Sequence, residues 1–298
     1  DSEGAMIEKI ATDISNILNN STQSKDFDGL VGMGAHMQKM KQMLRLDLDE
    51  VRMIGISGPS GIGKTTIARF LFNQISARFL LSVFMENIEG RYPRPCYDEY
   101  GAQLKLQQDF LSEIINQKDI KIRHLGVLQQ RLKDKKVLVV LDDVDRLEQL
   151  DALAKSTGWF GPGSRIIITT QYEKLLNAHW IKHIYQVGFS PSDEASQIFS
   201  MYAFGQKSPP DGFGNLASKV TEIAGGVPLV LKIMGHHLRG MSKKEWKNLL
   251  PRLRTIVNRE IGNIPKSTYG ELNERKKEFA KDFSEVRQEH IITNQDRK

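Results

Sequence analysis

The sequence contains very little cysteine and no long apolar segment. Its 298 residues include one cysteine, Cys96, which excludes an internal disulfide and favours a reducing compartment. No apolar run approaches the length of a membrane span, and no signal peptide is visible at the N-terminus. We therefore do not expect a membrane among the partners of this chain.

The sequence also lacks a large excess of either charge. Lysine and arginine together number 42 against 36 acidic residues, which gives a net charge of +6 spread along the chain. An excess of this size gives only weak support for nucleic-acid binding, so nucleic acid is not an expected partner. Because the chain begins with Asp1 rather than methionine, we expect it to be a piece of a longer protein.

Apolar runs rich in β-branched residues alternate with helical patterns from residue 51 to residue 188. Buried strands that alternate with helices predict an α/β fold with a parallel sheet and helices on both faces. From Ser192 to about Arg254 the pattern is helical only, which predicts a small all-helical domain after the sheet. The predicted strands are VRMIGIS, LLSVFMEN, KKVLVVLDDV, SRIIITT and HIYQVG.

The most specific motif is a phosphate-binding loop. Residues 58–65, GPSGIGKT, match the pattern G-x-x-x-x-G-K-[ST] in full, directly after a strand and at the start of a helix. Glycines let main-chain N–H groups approach phosphate oxygens, and the helix N-terminus adds partial positive charge. Lys64 is predicted to bridge the outer phosphates, and Thr65 to offer its hydroxyl to Mg²⁺. The alternative, a chance glycine-rich turn, does not account for the flanking strand and helix. The predicted nucleotide-binding residues of this loop are Gly58, Gly61, Gly63, Lys64, Thr65 and Thr66.

Two adjacent carboxylates end the strand KKVLVVL. Ligands of α/β proteins bind at the carboxyl ends of parallel strands, which is where these side chains are expected. We predict that Asp142 holds Mg²⁺ through water and that Asp143, the candidate catalytic residue, positions an attacking water. The alternative is that one of them only caps the following helix, and for Asp145 we favour that capping role.

A third strand, RIIITT, ends in two threonines followed by a glutamine. The hydroxyls of Thr169 and Thr170 either contact phosphate or satisfy main-chain groups at the strand end. We include Thr170 and Gln171 among the predicted nucleotide-binding residues. Gln171 can hydrogen-bond to a phosphate but cannot neutralise its charge, which predicts slow hydrolysis of a bound triphosphate.

Five segments in register resemble the NB-ARC nucleotide-binding module of plant intracellular immune receptors. Asp145, which ends LDDVD, and the loop WFGPGSR resemble the corresponding segments of the subclass that carries an N-terminal TIR domain. In that family an arginine often follows the paired threonines, and Gln171 stands at that position here. The segments are GPSGIGKTTIA, KVLVVLDDVD, WFGPGSRIIITT, YQVGFSPSDEASQIFSMYAFG and AGGVPLVLKIMG.

The resemblance implies roles for further residues and a division into domains. Val31, in GLVGM, would contact the adenine through its main chain, and Pro228, in GGVPL, would pack near the adenine; the alternative for Pro228 is a helix-start proline. The cofactor would be ADP or ATP with Mg²⁺. The implied domains are an N-terminal linker helix (residues 1–25), a P-loop nucleotide-binding domain (26–190), a small helical domain (191–258) and a charged tail (259–298). The tail resembles an incomplete winged-helix domain without the Met-His-Asp motif that contacts the β-phosphate.

The resemblance also implies a function and partners. The chain would be an ADP/ATP-binding switch whose nucleotide exchange controls domain rearrangement, with a homo-oligomer formed on activation. TIR and leucine-rich-repeat segments of the parent chain would be further partners, and a full-length TIR parent would hydrolyse NAD⁺. The implied location is the cytoplasm, and the family also allows the nucleus.

Three other functions are weighed against the switch. A motor-type ATPase calls for a glutamate beside the strand-end aspartate and an arginine finger, whereas this chain has Asp143 and Gln171. A small-molecule kinase needs an arginine-rich lid, and none is found. A binding-only module that never hydrolyses ATP remains open, because Gln171 is uncharged. As an enzyme, this segment would be at most a slow ATPase.

Overall fold

The computed structural model describes residues 29–117 and 120–251. The predicted N-terminal linker helix and the charged tail lie outside the described residues. Two compact units make up the described part. The first consists of residues 29–58 and 64–187, and the second consists of residues 59–63 together with residues 188–251.

The first unit is built on a five-stranded parallel sheet with the order β2-β3-β4-β1-β5. Ser57 lies beside Thr170 on the neighbouring strand, and Leu141 lies beside Ile168. The carboxyl ends of β1, β3 and β4 therefore meet at one edge, where the phosphate-binding loop and the paired aspartates follow directly. The strands are β1 (Arg52–Ser57), β2 (Leu81–Met85), β3 (Val137–Leu141), β4 (Arg165–Thr170) and β5 (His183–Gln186).

The sheet is covered on both faces. Every residue of β3 and β4 is buried, which is why these strands are continuous apolar runs rather than alternating patterns. Val139 and Leu141 belong to the core on one face, while Leu138 and Val140 are equally buried on the other. The helices of this unit are α1 (Met33–Leu44), α2 (Lys64–Ile75), α3 (Ile88–Arg91), α4 (Glu99–Ile115), α5 (Gly126–Leu132), α6 (Leu147–Leu153) and α7 (Glu173–Ala178).

The second unit is helical after residue 191. Its helices are α8 (Ser192–Phe204), α9 (Gly214–Ala224) and α10 (Pro228–Leu238), and residues 243–251 are also helical. Pro228 occupies the first turn of α10, where a missing N–H costs nothing. Trp246 is buried at the centre of an aromatic cluster that also contains Phe199, Phe204 and Phe213. This cluster gives the unit an apolar core of its own.

The predicted fold class, a P-loop parallel sheet with helices on both faces followed by a small helical unit, is confirmed. Helix α4 begins at Glu99. The reason is a cap that the apolar pattern does not show: the Asp98 carboxylate accepts a hydrogen bond of 2.8 Å from the main-chain N–H of Gly101. Helices α1, α3 and α5 were not predicted, because α1 is methionine-rich and α3 and α5 are short.

No helix within the described residues is long and apolar enough to cross a membrane.

A tryptophan in a left-handed backbone conformation lies between α7 and β5. Trp180 has a φ of 59° and its side chain is 88% exposed. A Cβ atom in this conformation costs about 1 kcal/mol, and here no burial of the ring offsets that cost. We expect Trp180→Gly to raise the melting temperature by about 2–4 °C in a thermal unfolding experiment.

Trp180→Ala is the matched control, because it removes the indole ring but keeps a Cβ atom at the same φ. Equal melting temperatures for the glycine and alanine variants would show that the backbone at this position stores no strain.

Candidate nucleotide-binding site

The phosphate-binding loop is held open by glycines. Gly61 and Gly63 have φ values of 77° and 104°, a region that residues with a Cβ atom rarely adopt. A Cβ atom added to Gly61 would lie 2.8 Å from the Cβ atom of Leu229, within the second unit. The N–H of Leu229 also donates a hydrogen bond of 3.1 Å to the carbonyl oxygen of Gly61. Gly61 is therefore required for two reasons, its backbone conformation and the closeness of Leu229.

The lysine of the loop is folded onto the loop itself. Lys64 is only 5% exposed, and its Nζ donates a hydrogen bond of 2.9 Å to the carbonyl oxygen of Gly58. An ammonium group this deeply buried needs oxygen partners. Phosphate oxygens in the loop would be stronger acceptors for it than a carbonyl, because both partners of the bond would then be charged.

The strand-end aspartate joins the loop to a neighbouring strand. Asp142 is 3% exposed, and its Oδ1 accepts hydrogen bonds from the hydroxyls of Thr65, at 3.0 Å, and Thr169, at 2.6 Å. The main-chain N–H of Asp142 donates to the carbonyl of Met85 on β2. One carboxylate oxygen therefore connects α2, β3 and β4, and its position is fixed by three elements.

The same burial affects the protonation of this carboxyl. Burial raises the pKa of Asp142 above its usual value, and the nearby charge of Asp143 raises it further. The hydrogen bonds from Thr169 and Thr65 act in the opposite direction, as does the charge of Arg69. A cation beside Asp142 would favour its ionised form, so the environment suits a carboxylate that meets a metal ion.

The second aspartate has an unusual backbone conformation. Asp143 has a φ of 56°, which non-glycine residues adopt at a cost unless the surroundings hold them there. Its N–H donates to the hydroxyl of Thr169 at 2.9 Å, and its carbonyl accepts from the N–H of Glu89 at 3.0 Å. These bonds hold the turn after β3 in this conformation.

Thr170 and Gln171 occupy the end of β4 beside the loop. The Thr170 hydroxyl accepts a hydrogen bond of 3.1 Å from the N–H of Tyr172, which is the main-chain role that the sequence left open. Gln171 is half-buried, and its Oε1 is a buried oxygen without a hydrogen-bond partner among the described residues. A buried amide oxygen in this state has the capacity to accept a hydrogen bond.

The remaining predicted residues lie in three places. Thr66 lies in the first turn of α2 and is half-buried. Val31 lies in the turn before α1 and is half-buried. In the second unit, Pro228 begins α10 directly before Leu229, the residue that contacts Gly61. The structure thus brings Lys64 together with Gly58, and Thr65 together with Asp142.

Two residues with clear roles were not among the predicted site residues. Thr169 both donates to Asp142 and accepts from the N–H of Asp143, although Thr170 was chosen in its place. Strand alternation was the missing signal, because it places Thr169 and Thr170 on opposite faces of the sheet.

Asp145 does not cap α6 as predicted. Its carboxylate pairs with Arg94 and accepts a hydrogen bond of 2.7 Å from Gln149, and the N-cap position belongs to the next residue.

The residues present suit a metal that arrives with a nucleotide. No group of three histidine, cysteine or acidic side chains capable of holding a metal exists within the parts of the chain that the structure describes. A magnesium ion at a phosphate-binding loop does not need one, because phosphate and water oxygens complete its octahedral shell. Thr65 and Asp142 would supply the protein oxygens for such an ion, and in the structure the Thr65 hydroxyl donates to the Asp142 carboxylate at 3.0 Å.

A parallel sheet with this strand order and a phosphate-binding loop between β1 and α2 defines the P-loop NTPase class of folds. Cdc6p from Pyrobaculum aerophilum has the same fold, with a TM-score of 0.52 at 14% sequence identity over 87% of this chain and 89% of that one. The family model of the NB-ARC domain matches residues 33–209, more than half of the chain, and the chain belongs to this family.

Relatives of the chain are plant disease resistance proteins. The chain is 64% identical over 267 residues to the probable disease resistance protein RPP1 of Arabidopsis thaliana, covering 90% of this chain and 22% of that protein. It is 56% identical over 279 residues to the disease resistance protein TAO1 of the same plant, covering 94% of this chain and 23% of that protein. The chain therefore spans less than a quarter of these relatives. The predicted resemblance to the NB-ARC module of such proteins is confirmed.

Proposed function

We propose that this chain is an ADP/ATP-binding molecular switch of a plant immune receptor. Nucleotide exchange would change the arrangement of the nucleotide-binding and helical domains and would allow a homo-oligomer to form. The observation that carries the proposal is the hydrogen-bonded set in which Asp142 accepts from Thr65 of the loop and Thr169 of β4. This set is placed to respond to the metal, and therefore to the number of phosphates.

Each residue of the site has a distinct part in this proposal. The loop N–H groups and Lys64 bind the phosphates, with Lys64 exchanging the Gly58 carbonyl for phosphate oxygens. Thr65 and Asp142 would hold Mg²⁺, which would neutralise part of the phosphate charge. Asp143 orients a water, and Val31 and Pro228 contact the adenine.

The switch depends on a difference in affinity. A ligand shifts an equilibrium between two arrangements only if it binds one more tightly, and a shift from 1:99 to 99:1 needs about 5.5 kcal/mol. Contacts to a γ-phosphate and its Mg²⁺ are charge-assisted and of a kind that can supply such a difference. TIR and leucine-rich-repeat segments of a longer parent would transmit and control the change in the cytoplasm or the nucleus.

The direct test is the nucleotide that the purified protein carries. The protein is denatured, and the released nucleotide is identified by ion-exchange chromatography against ADP, ATP and GDP standards. We expect an adenine nucleotide at close to one equivalent in the wild type and none in Lys64→Ala. A protein that releases no nucleotide and binds neither ADP nor ATP in calorimetry would contradict the proposal.

A binding-only module is the second candidate, because Gln171 is uncharged and its Oε1 has no partner among the described residues. Incubation with an excess of ATP labelled at the γ-phosphate separates the three possibilities. Slow release of labelled phosphate supports the switch, no release supports the binding-only module, and rapid multiple turnover supports a motor-type ATPase.

The Gln171 side chain provides a prediction about nucleotide preference. Gln171→Arg places a positive charge at the end of β4, next to the loop, where it would stabilise the extra charge of ATP. We expect the ratio of ATP affinity to ADP affinity to rise about tenfold, as measured by calorimetry with both nucleotides in Mg²⁺.

Gln171→Met is the matched control, since it keeps the length of the side chain and removes the amide. The methionine variant should keep the wild-type ratio within about threefold. An arginine variant with an unchanged ratio and unchanged turnover would show that residue 171 does not face the nucleotide.

A further inference from the structure

A completely buried arginine stands at the start of β4, at the opposite end of the strand from Thr169. Arg165 has no exposed surface, and its guanidinium has five N–H groups. Each of the five is matched by a main-chain carbonyl. Nε donates to Leu44, Nη1 donates to Ser164 at 2.9 Å and Glu50 at 2.8 Å, and Nη2 donates to Arg45 and to Leu48 at 2.9 Å.

Four of those carbonyls belong to one short segment, residues 44–50. This segment runs from the last residue of α1 to the start of β1. The final carbonyls of a helix have no partners within the helix and carry its negative partial charge. A buried cation that satisfies the carbonyls of Leu44 and of the C-cap residue Arg45 therefore attaches the C-terminal end of α1 to the start of β4. Arg52 adds one more bond to the same helix end, from its Nη1 to the Met43 carbonyl at 2.8 Å.

The rest of α1 is held less firmly. Its buried residues are Met33, Met37, Met40 and Leu44, and methionine side chains adapt their shape and so specify position poorly. The N-cap residue, Gly32, makes no capping hydrogen bond through a side chain. A hydrogen bond of 2.6 Å between His36 and Tyr185 ties the helix to β5. Arg165 is therefore an anchor at the C-terminal end of α1, opposite the contact of His36 with β5.

The N-terminal end of α1 carries residues 29–33, which the proposed function assigns to the adenine through Val31. The helix has 12 residues, so about 18 Å separate that end from the Arg165 anchor. Because a helix is stiff over this length, a change of angle at its C-terminal end moves residues 29–33. Strand β4 thus carries the anchor at one end and Thr169, the partner of Asp142, at the other.

We propose that Arg165 is a positioning residue for nucleotide binding, which fixes the base-binding segment 29–33 relative to Lys64 and Thr65. This inference rests on the proposed function. In this inference Arg165 does not contact the nucleotide itself. It positions residues 29–33, which do. Loss of the anchor should weaken ligands that contain a base and leave ligands that contain only phosphates unaffected.

The test compares ADP with inorganic pyrophosphate in calorimetry on the same chain. Arg165→Lys keeps the charge but has three N–H groups on a flexible stem instead of five in a fixed plane. We expect its dissociation constant for ADP to rise about tenfold, while that for pyrophosphate stays within about twofold of the wild type. Phe110→Leu removes buried volume from α4 and is the control for general destabilisation. It should change neither the dissociation constant for ADP nor that for pyrophosphate.

The outcomes are distinct. Equal losses for ADP and pyrophosphate in Arg165→Lys, or no loss for either, would overturn the inference. A wild-type protein that binds neither ligand would instead contradict the proposed function. If Arg165→Lys does not fold, Arg165→Gln takes its place, since its neutral amide keeps two N–H donors and loses the others. It should also weaken ADP alone, and an unchanged ADP affinity in that variant would overturn the inference.

Discussion

Lys64→Ala should weaken the binding of ADP by about 100-fold, equivalent to about 2.7 kcal/mol. The physical reason is that Lys64 is the one basic residue of the loop, and its buried ammonium already lies within hydrogen-bonding distance of the Gly58 carbonyl. Phosphate oxygens have a stronger attraction for this ammonium than a neutral carbonyl has. Isothermal titration of ADP into both proteins measures the change.

Lys105→Ala is the control for the loss of one positive charge. Lys105 lies on α4, where its side chain is 67% exposed and pairs with Asp109. A surface pair of this kind contributes little, so ADP affinity should stay at the wild-type value. Equal affinity of Lys64→Ala and Lys105→Ala would mean that the loop does not hold the phosphates.

Asp142→Asn should remove most of the benefit of Mg²⁺ for ATP binding. Asparagine keeps an oxygen that can accept from Thr65 and Thr169, so the hydrogen-bonded set is preserved while the negative charge is lost. We expect affinity for ATP with Mg²⁺ to fall by about 30-fold, and affinity for ADP without metal to change by less than about threefold. Titrations with Mg²⁺ and with a chelator give both values.

Asp151→Asn is the matched control, because Asp151 is exposed on α6 and contacts none of these groups. It should leave both affinities unchanged. Should Asp142→Asn weaken metal-free ADP as much as ATP with Mg²⁺, the role of Asp142 is to hold α2, β3 and β4 together rather than to hold a metal.

The fold was accessible from the sequence because its strongest signals are local. The apolar runs VLVVL and RIIITT are buried on both faces of a parallel sheet, and their short length and many β-branched residues favour strands over helices. The phosphate-binding motif also predicts the strand before it and the helix after it. Helix α1 was missed although its buried residues, Met33, Met37, Met40 and Leu44, recur at helical spacing.

The side-chain partners in the site were not accessible in the same way. Thr169 and Thr170 are chemically identical neighbours, and only the register of β4 decides which of them meets Asp142. The pairing of Asp145 with Arg94 joins residues that are far apart in sequence, so no local sequence pattern predicts it. Nothing in the sequence marks Arg165 as different from other residues at a strand start. In the structure all five N–H groups of its buried guanidinium donate to main-chain carbonyls.

The bond between Gly61 and Leu229 has a practical consequence for anyone who shortens this chain. A fragment ending after β5 would keep all five strands, Lys64 and the paired aspartates, and by its sequence it would contain a complete nucleotide-binding motif. It would nevertheless lack the N–H that occupies the Gly61 carbonyl and the side chain that lies against Gly61. Nucleotide affinities measured on that fragment would therefore be those of a phosphate-binding loop without the contacts that Leu229 makes with Gly61. The smallest piece suited to nucleotide measurements therefore extends at least through α10.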